Sequence, residues 1–376
     1  MTLFRKKSFK MLMALLLISA FIIPQLGCSS NGQKASSNAG ISKTGYYLNT
    51  TCQLAVYGID PESELGAELA QMDEEEQEVR VLQLITDAFL LCDKYEKVLS
   101  KTIESSEISQ INDAAGAAVE VSDVTVDVLK KGLYYGELSG GVFDIYIGTA
   151  TQLWDFHVVV EIHESESELP DEDDLAEAVK HVDYEKISID GNTVTVADPE
   201  MEIDLGGIAK GYISDLVADY LVDNGVTGAV VNLGGNIVTV GGKTPELLSA
   251  ETEDIVVGIG DPFSETGELM ALYPCQNKVV VTSGTYERYL IKDGEKYHHV
   301  LDVNTGYPVD TDVISVTIIA ERGSGADADG LSTSCLALGM EKGMELIKGI
   351  DGVEAVFIDV DGNVEMTSEE LGIQVQ

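Results

Sequence analysis

The segment Glu202–Gly211, EIDLGGIAKG, constrains the fold of this chain most strongly, because it joins an apolar alternation to a helical pattern through two adjacent glycines. Gly206 and Gly207 allow a tight turn and a close backbone approach to a ligand. The following helix would direct free N–H groups and its positive dipole end at an anion, with Lys210 beside them. The glycine spacing matches neither common nucleotide-binding loop. The segment predicts a strand-to-helix junction that holds phosphate; the alternative is a turn that only packs a helix on a sheet.

Residues 1–27 have the pattern of a targeting segment. A basic front precedes the apolar run Met11–Pro24, which is shorter than the roughly 20 residues of a membrane span. Gly27 then precedes Cys28, which resembles the lipoprotein form of a bacterial signal peptide, although Gln25 stands where an apolar residue is usual. We expect Cys28 to carry lipid, including palmitate, and to anchor the protein on the extracytoplasmic side of the bacterial cell membrane. The alternatives are an uncleaved anchor and plain secretion.

The rest of the chain is expected to form a polar tether over residues 28–44 and one large domain over residues 45–376, since no internal linker interrupts the latter. Tyr46–Tyr57 predicts an early strand, and Val79–Leu99 and Ser122–Ser139 predict helices. Helices separate only some of the later strands, so we expect an α+β fold with mixed sheets and packed helices. These strands are expected at Lys186–Ile189, Thr193–Ala197, Ala229–Leu233, Ile255–Ile259, Lys278–Thr282, Ser315–Ala320 and Ala355–Asp359.

The charge of the chain restricts its partners. The formal net charge is −42, and it becomes −46 if the leader is removed, since residues 1–27 hold four basic residues and no acidic one. Nucleic acid is excluded, because binding it requires clusters of Lys and Arg. An anionic ligand would need a locally neutralised pocket or a bound cation. The acidic runs Glu62–Glu78 and Glu161–Glu177 are interpreted as solvated surface.

The four cysteines after Cys28 are far apart and show no spacing typical of a zinc site. Export would permit disulfides, but Cys92 and Cys335 lie in apolar, helix-like patterns that favour buried thiols equally. The sequence therefore predicts no particular pairing.

Three further segments combine glycines with residues suited to ligand binding. Gly140–Gly148 places Phe143 and Asp144 after a double glycine, which would suit a planar ligand, although a core Phe has the same appearance. Gly228–Gly242 contains a buried strand and a second double glycine, which a hairpin would also require. Thr282–Pro308 is rich in turns and includes a predicted Lys292–Gly294 hairpin turn and two adjacent histidines, only one of which can face a given pocket if they lie in a strand.

The segment Ala326–Gly339 carries the candidate metal ligands. Asp329 and Thr333 are four residues apart, so on a helix their oxygens share one face. A carboxylate with a hydroxyl and a backbone carbonyl suits Mg²⁺, which prefers oxygen ligands. The alternative is an aspartate that caps the start of a helix.

Together these segments resemble the ApbE-type FAD:protein FMN transferases, from about Tyr46 to the C-terminus. The chain departs from the family pattern at Val303, where proline is usual, and at Leu48-Asn49-Thr50, where Met-Gly-Thr is usual. The matching blocks are Gly140–Asp144, Asp204–Tyr212, Val231–Ile237, Thr282–Tyr289, His298–Val309 and Ala328–Thr333.

The resemblance implies roles for individual residues. It implies that His299 is the catalytic histidine, and that a Mg²⁺ ion is held by the Gly207 carbonyl, Asp329 and Thr333. It also implies a set of residues that contact FAD: Leu48, Thr102, Val142, Phe143, Asp144, Asp204, Lys210 and Val300.

The implied reaction is phosphoryl transfer, in which the FMN moiety of FAD passes to a Thr or Ser hydroxyl of an acceptor flavoprotein and AMP is released. The main alternative is a lipoprotein that binds FAD or hydrolyses it to FMN and AMP. A surface adhesin or substrate-binding lipoprotein would explain the leader and the acidity, but not the Asp/Thr, His and Gly clusters.

Overall fold

The computed structural model of the protein describes residues 40–156, 168–249, 251–264 and 266–376. The leader, Cys28 and most of the expected tether lie outside these residues. The tether boundary at residue 44 is wrong, because a strand that pairs with its neighbour already begins at Ile41. Within the described ranges, no helix has the length and apolar character needed to cross a membrane.

The helices carry their own start signals. The longest one buries seven side chains along one face, and it begins at a capping box in which Asp73 and Glu76 satisfy each other's backbone N–H groups. The two helices predicted from sequence are confirmed, at Glu74–Leu99 and Asp123–Leu138. In chain order the described helices are α1 (Glu64–Leu69), α2 (Glu74–Leu99), α3 (Glu107–Asp113), α4 (Asp123–Leu138), α5 (Gly148–Thr151), α6 (Glu172–Ala178), α7 (Ala209–Asp223) and α8 (Gly325–Lys348).

The strands in the described part of the chain form one large sheet and three small ones. All seven strands predicted after residue 180 are confirmed. In chain order the strands are β1 (Ile41–Tyr47), β2 (Thr50–Ile59), β3 (Val119–Glu120), β4 (Ile187–Asp190), β5 (Thr193–Val196), β6 (Val226–Leu233), β7 (Asn236–Gly241), β8 (Ile255–Gly260), β9 (Leu269–Cys275), β10 (Lys278–Gly284), β11 (Tyr289–Lys292), β12 (Glu295–His298), β13 (Val313–Glu321), β14 (Glu354–Asp359), β15 (Val364–Met366) and β16 (Gln374–Val375).

The large sheet is the central layer of the molecule. Its order is β1-β2-β6-β7-β10-β13-β14-β15, and all its pairs are antiparallel. One face packs against α2, α7 and α8, and the other packs against the small sheet β16-β9-β8. The predicted α+β class is confirmed. Among the described residues the parallel contact is an isolated bridge between Ile147 and Glu202, so the sheets are almost entirely antiparallel rather than mixed.

Tight two-residue turns connect several neighbouring strands. The single strand predicted at Tyr46–Tyr57 is instead a hairpin, because Leu48 and Asn49 adopt positive φ angles of 54° and 55° and reverse the chain. The double glycine at residues 234–235 makes the β6–β7 turn in the same way, with φ angles of 63° and 89°. The predicted hairpin near Lys292 is confirmed, with its turn at Asp293 and Gly294.

The tryptophan and the cysteines have structural positions. Trp154 is buried, donates from Nε1 to the Gly306 carbonyl at 2.8 Å, and stacks on Phe156. All four cysteines in the described residues are buried free thiols. Burial raises the pKa of Cys92 to about 12, so this thiol is neutral at physiological pH.

Candidate active site at the crossing of two helices

The chain before α7 does not form a strand, because its only ladder contact among the described residues is the isolated bridge between Ile147 and Glu202. The predicted strand there is therefore wrong. A Cβ atom on Gly207 would lie 3.1 Å from the ring of Phe143 and 3.3 Å from Oγ1 of Thr333. A side chain at this position would require Phe143 and Thr333 to shift by a few tenths of an ångström. The turn thus brings the Gly207 backbone to a predicted metal ligand and a predicted flavin contact.

The start of α7 offers fewer free N–H groups than the sequence suggested. The Ala209 N–H donates to the Leu205 carbonyl at 2.9 Å, and the Gly211 N–H donates to Oδ2 of Asp329 at 2.9 Å. The prediction of a helix end with free N–H groups is wrong for these two. The Lys210 ammonium is then the clearest positive group at the junction.

Two glycines allow α7 and α8 to cross closely at their first turns. A Cβ atom on Gly211 would lie 2.0 Å from the Gly325 carbonyl oxygen and 2.8 Å from Cβ of Asp329. The carboxylate of Asp215 accepts hydrogen bonds from the N–H groups of Gly325 and Gly323, at 2.6 and 3.2 Å, and so ties α7 to the start of α8. This crossing fixes Asp329 relative to the α7 junction.

Asp329 is a buried carboxylate at this crossing, with 2 % of its surface exposed. It does not cap α8, which begins after Ser324. Its Oδ1 lies 3.7 Å from Nζ of Lys210, which also donates to the Gly206 carbonyl at 2.8 Å. Burial raises the pKa of Asp329, while Lys210 and the hydrogen bond from the Gly211 N–H oppose the rise. A carboxylate in such surroundings is stabilised by additional positive charge.

Thr333 lies one helical turn beyond Asp329, as the spacing predicted. Its Oγ1 is 3.5 Å from Oγ of Ser283, at the end of β10. Ser283 also pairs with Oγ of Ser332 at 2.7 Å. This group of hydroxyls from β10 and α8 adjoins the Asp329 backbone, because Oγ of Ser332 donates to the Asp329 carbonyl at 2.9 Å.

These oxygens suit a hard cation. Across the described ranges, no three His, Cys, Asp or Glu side chains are grouped so that they could hold a metal ion. A cation here would depend on mixed oxygen donors, namely the Gly207 carbonyl, Asp329 and Thr333, as Mg²⁺ accepts. Oδ1 of Asn236 is buried without a hydrogen-bond partner in the described structure, and leaving such an atom unpaired costs about 1–3 kcal/mol. The Asn236 side chain is close enough to Asp329 to affect the pKa of its carboxyl group, so this unpaired oxygen fits a cation site.

Asp204 is held in an ionised state. Its Oδ1 accepts from the Gly206 N–H at 2.8 Å, and its Oδ2 accepts from Oγ1 of Thr151 at 2.9 Å and lies 3.0 Å from Nζ of Lys101. Burial alone would raise the pKa of Asp204, but the Lys101 ammonium and these hydrogen bonds outweigh it and lower the pKa.

Thr102 lies beside this ion pair, in a small polar cavity. The cavity is also lined by Lys101, Asn112 and Glu202. Burial raises the pKa of Glu202, and Lys101 opposes the rise. The residues around Thr102 therefore present hydrogen-bonding groups of both kinds to a polar ligand.

The Val142–Asp144 segment contains two buried residues and one half-buried residue. Phe143 is buried and packs edge-to-face on Tyr135, with ring centroids 6.4 Å apart. Asp144 is also buried, and its carboxylate accepts hydrogen bonds from the N–H groups of Tyr146 and Tyr184 at 2.8 and 2.9 Å. Burial raises the pKa of Asp144 to about 6. Asp144 thus shapes the loop, and half-buried Val142 is the more accessible of the predicted contacts.

The β1–β2 turn and the loop after β12 are linked through Arg288. The Leu48 N–H donates to Oε2 of Glu96 at 3.0 Å, and the next carbonyl, of Asn49, accepts from Nη2 of Arg288 at 3.1 Å. Val300 is buried, and its carbonyl accepts from the Val309 N–H at 3.0 Å.

The two adjacent histidines make different hydrogen bonds. Nε2 of His298 lies 3.2 Å from the Val309 carbonyl, whereas Nδ1 of His299 lies 3.1 Å from the Arg288 carbonyl. A carbonyl oxygen only accepts, so Nδ1 of His299 carries its proton and Nε2 keeps a free lone pair. Burial and the Arg288 guanidinium lower the pKa of His299 to about 3, which keeps the ring neutral.

Sequence reasoning missed Glu287 and Asn236. Burial raises the pKa of Glu287 to about 7, against the opposing charges of Lys210 and Arg288, and Asp329 adds to the rise. Glu287 therefore shares the electrostatic environment of Lys210 and Asp329. Glu287 lies directly before Arg288 in a polar segment that has no periodic pattern of apolar residues to indicate burial. Asn236 was interpreted as part of a glycine turn.

A separate cleft between α4 and α7 contains none of the predicted site residues. It is lined by Asp127, Lys130, Lys131, Tyr134 and Tyr212. Lys131 pairs with Asp327 at 2.5 Å. Burial raises the pKa of Tyr212 to about 12, and the nearby Asp127 carboxylate adds to the rise.

Most of this chain is similar in sequence to known proteins. The model of the ApbE family matches residues 48–357. The FAD:protein FMN transferase of Treponema pallidum (strain Nichols) is 34% identical over 338 residues, covering 87% of this chain and 86% of that protein. The enzyme of the same name from Klebsiella pneumoniae (strain 342) is 32% identical over 292 residues, covering 76% and 85%.

Solved structures show the same architecture. A crystal structure of the ApbE protein of Thermotoga maritima aligns with a TM-score of 0.71 and 27% identity, covering 87% of this chain and 96% of that one. The flavin transferase ApbE of Vibrio cholerae aligns with a TM-score of 0.69 and 25% identity, over the same shares of the two chains.

Proposed function

This chain belongs to the ApbE family, and we propose that it transfers the FMN moiety of FAD to a threonine or serine hydroxyl of an acceptor flavoprotein and releases AMP. The observation that carries the proposal is the α7–α8 crossing, where Lys210 and the buried Asp329 meet within 3.7 Å beside the Gly207 turn. The lysine suits the anionic pyrophosphate group, and the buried carboxylate suits a cation bound with it.

The site residues divide the binding of FAD between them. Lys210 binds the pyrophosphate, and the rigid Asp204–Lys101 pair and Thr102 lie where the polar adenosine half would be held. The flavin half lies against Leu48, Val142, Phe143 and Val300, while Asp144 orders the loop beneath it. This division is supported by the polar cavity at Thr102 and the apolar character of the second set.

Mg²⁺ is the cation we propose, held by the Gly207 carbonyl, Asp329 and Thr333. When bound, it would supply positive charge that offsets the charge of the pyrophosphate. The residues present fit such an ion, because they are hard oxygen donors and because a neighbouring buried amide oxygen lacks a partner.

His299 prepares the acceptor hydroxyl for attack. Its Nε2 lone pair takes the hydroxyl proton while the hydroxyl oxygen bonds to the phosphorus of the FMN half. The bond from this phosphorus to the bridging oxygen breaks, and AMP leaves with both bonding electrons. Lys210 stabilises the charge that shifts onto the leaving phosphate. The hydrogen bond from Nδ1 to the Arg288 carbonyl holds the ring in the tautomer this step requires.

The test uses the processed protein with FAD, Mg²⁺ and a purified acceptor domain. Covalent flavin fluorescence on the acceptor, in amounts equal to the AMP released, supports the transferase. Release of FMN and AMP with an unlabelled acceptor would identify an FAD pyrophosphatase, and tight FAD binding without AMP would identify a flavin-binding lipoprotein.

Lipid on Cys28 would place the enzyme on the extracytoplasmic side of the bacterial cell membrane. The proposal is supported by the basic front, the apolar run and the Gly27–Cys28 junction of the leader. We expect Cys28→Ala to remove the protein from the membrane fraction or to block its processing, and to leave the activity of the soluble protein unchanged. Mass spectrometry of the native processed protein checks this, and an unmodified Cys28 would refute it.

A further inference from the structure

Asn236 occupies a buried position that faces the helices. It is the first residue of β7, directly after the Gly234–Gly235 turn, and 1 % of its surface is exposed. It pairs with Leu233 across β6 and with Val281 across β10. Paired residues of neighbouring strands share one face of a sheet. Leu233 and Val281 belong to the core shared with α8, so Asn236 lies on the face that α8 covers.

The NH₂ group and the oxygen of the Asn236 amide differ in their hydrogen-bonding partners. Asn236 pairs with Val281, two residues before Ser283. Oγ of Ser283 is 3.5 Å from Oγ1 of Thr333. Burial raises the pKa of Asp329, and the nearby side-chain amide of Asn236 opposes the rise. Since a carboxylate only accepts, the NH₂ group must face Asp329, and the opposite orientation would place two oxygens against each other. The amide orientation is thereby fixed. Oδ1 points elsewhere and has no hydrogen-bond partner among the described residues.

A residue needed only to orient Asp329 would not require an unpaired oxygen. Burying an amide oxygen without a partner costs about 1–3 kcal/mol, and most buried polar atoms are satisfied. Amide oxygens are common ligands of hard cations. The set proposed above already places a carboxylate, a hydroxyl and a carbonyl in the same region.

We infer that Asn236 is a further ligand of the cation site, which binds the ion through Oδ1 while its NH₂ group holds Asp329. The inference rests on the cation site of the proposed function. It adds a donor from the central sheet to donors from the α7 turn and α8, so that the site would join three separate elements.

Two substitutions separate a ligand from a residue that only positions Asp329. Asn236→Ala removes both the oxygen and the donor. Asn236→Asp keeps an oxygen of the same reach, loses the donor to Asp329, and adds a charge that a cation would neutralise. A ligand role therefore predicts opposite results for the two variants, whereas a positioning role predicts loss in both.

The matched control is Thr282→Val, an isosteric change of a nearby hydroxyl. Oγ1 of Thr282 pairs with Oγ1 of Thr317 at 2.8 Å. Thr282 precedes Ser283 on β10, so its side chain points to the opposite face of the sheet. Its loss is expected to leave cation binding unchanged.

The experiment is calorimetric titration of Mn²⁺, and separately Mg²⁺, into the processed protein without FAD. We expect wild type, Thr282→Val and Asn236→Asp to agree within about threefold or Asn236→Asp to bind more tightly, and Asn236→Ala to bind at least about tenfold more weakly. Thermal unfolding with and without Mn²⁺ gives a second readout: the cation should raise the Tm of Asn236→Asp more than that of wild type, because it relieves the repulsion from Asp329.

Either of two results would overturn the inference while leaving the proposed function intact: Asn236→Ala binding Mn²⁺ as wild type does, or Asn236→Asp binding as weakly as Asn236→Ala. If wild type binds neither cation, the cation site and this inference both fail. Covalent transfer of flavin to an acceptor, measured in chelator, then shows whether the transferase function survives without them.

Discussion

A single substitution can separate the charge of the Asp329 carboxylate from its hydrogen bond to the α7 backbone. The carboxylate accepts a hydrogen bond from the Gly211 N–H at 2.9 Å, and it would supply negative charge to the cation. Asp329→Asn keeps an oxygen for the Gly211 N–H but removes the charge. We expect a folded protein whose Mg²⁺-dependent release of AMP falls by at least about 100-fold, since weakening a metal site through its outer residues alone costs about 10–100-fold.

A Mg²⁺ titration of AMP release, with a thermal unfolding curve for each variant, checks this. Asp329→Ala is the less informative change, because it leaves the Gly211 N–H unpaired and so costs about 1–3 kcal/mol of stability. A folded Asp329→Asn enzyme that reaches the wild-type rate at the wild-type Mg²⁺ concentration would refute the metal assignment.

His299 and His298 are expected to differ in turnover. His299→Ala should lose about 10²–10⁴-fold in rate with FAD binding nearly unchanged, because it removes a general base, whereas His298→Ala should cost little. AMP release measured beside an FAD titration separates these cases. A loss confined to FAD affinity would assign His299 to binding.

The pH dependence follows from the depressed pKa of each histidine, about 3 for His299 and about 4 for His298, both caused mainly by burial. The neutral base is already present at pH 5, so His299 should give no acid limb in kcat/KM between pH 5 and 8.

The same pKa values affect stability. In the unfolded state both histidines bind protons near pH 6.5, whereas in the folded state they do not. Both histidines therefore stabilise the fold above pH 6.5, and this contribution is lost as the pH falls toward 4 and 3.

At the scale of elements, the close crossing of α7 and α8 is expected to control both stability and activity. Gly211→Ala would place Cβ 2.0 Å from the Gly325 carbonyl oxygen, so the helices must separate. Overpacking of this kind typically costs about 1–3 kcal/mol, and it would move Asp329 away from Lys210. Denaturant unfolding together with AMP release measures both effects.

The control for this prediction is Gly260→Ala in β8, where an added Cβ would meet no atom within 4 Å. It should leave the free energy of unfolding and the activity nearly unchanged. If Gly211→Ala behaves like Gly260→Ala, the crossing is looser than the contacts indicate.

The sequence predicted elements better than their arrangement. Periodicity was sufficient for α2, because its apolar face repeats over many turns, and Asp329 and Thr333 were found because their spacing is local to one helix. The segment before α7 resembled a strand in sequence, but an alternating pattern does not reveal whether a neighbouring strand is available for pairing. Asn236 and Glu287 were missed because their surroundings come from elements distant in sequence, and only the folded sheet places Asn236 against Asp329.

At the scale of the molecule, three layers bring together parts of the chain that the sequence keeps far apart. The central sheet places β2 beside β6, and β10 between β7 and β13. Arg288, shortly after β10, then links the first hairpin to the loop after β12 through the Asn49 carbonyl and His299. The relative positions of these segments depend on pairing between strands that are distant in sequence. That pairing also explains how a strongly acidic chain assembles a site with Lys101, Lys210 and Arg288 in it.

The net charge of −42 leads to a prediction about salt. FAD is an anion, so at low ionic strength the field of the protein opposes its approach, even though Lys210 attracts it at close range. Raising the ionic strength from 0.01 to 0.15 M shortens the Debye length from about 30 to about 8 Å, which screens the distant acidic residues much more than a contact with Lys210. With Mg²⁺ saturating at every point, we expect kcat/KM for FAD to rise several-fold over this range. Riboflavin, which lacks the phosphates, is the control, and its affinity in a competition titration should change little. A steady fall in kcat/KM for FAD with added salt would mean that the local cations, rather than the overall acidity, govern how the substrate reaches the site.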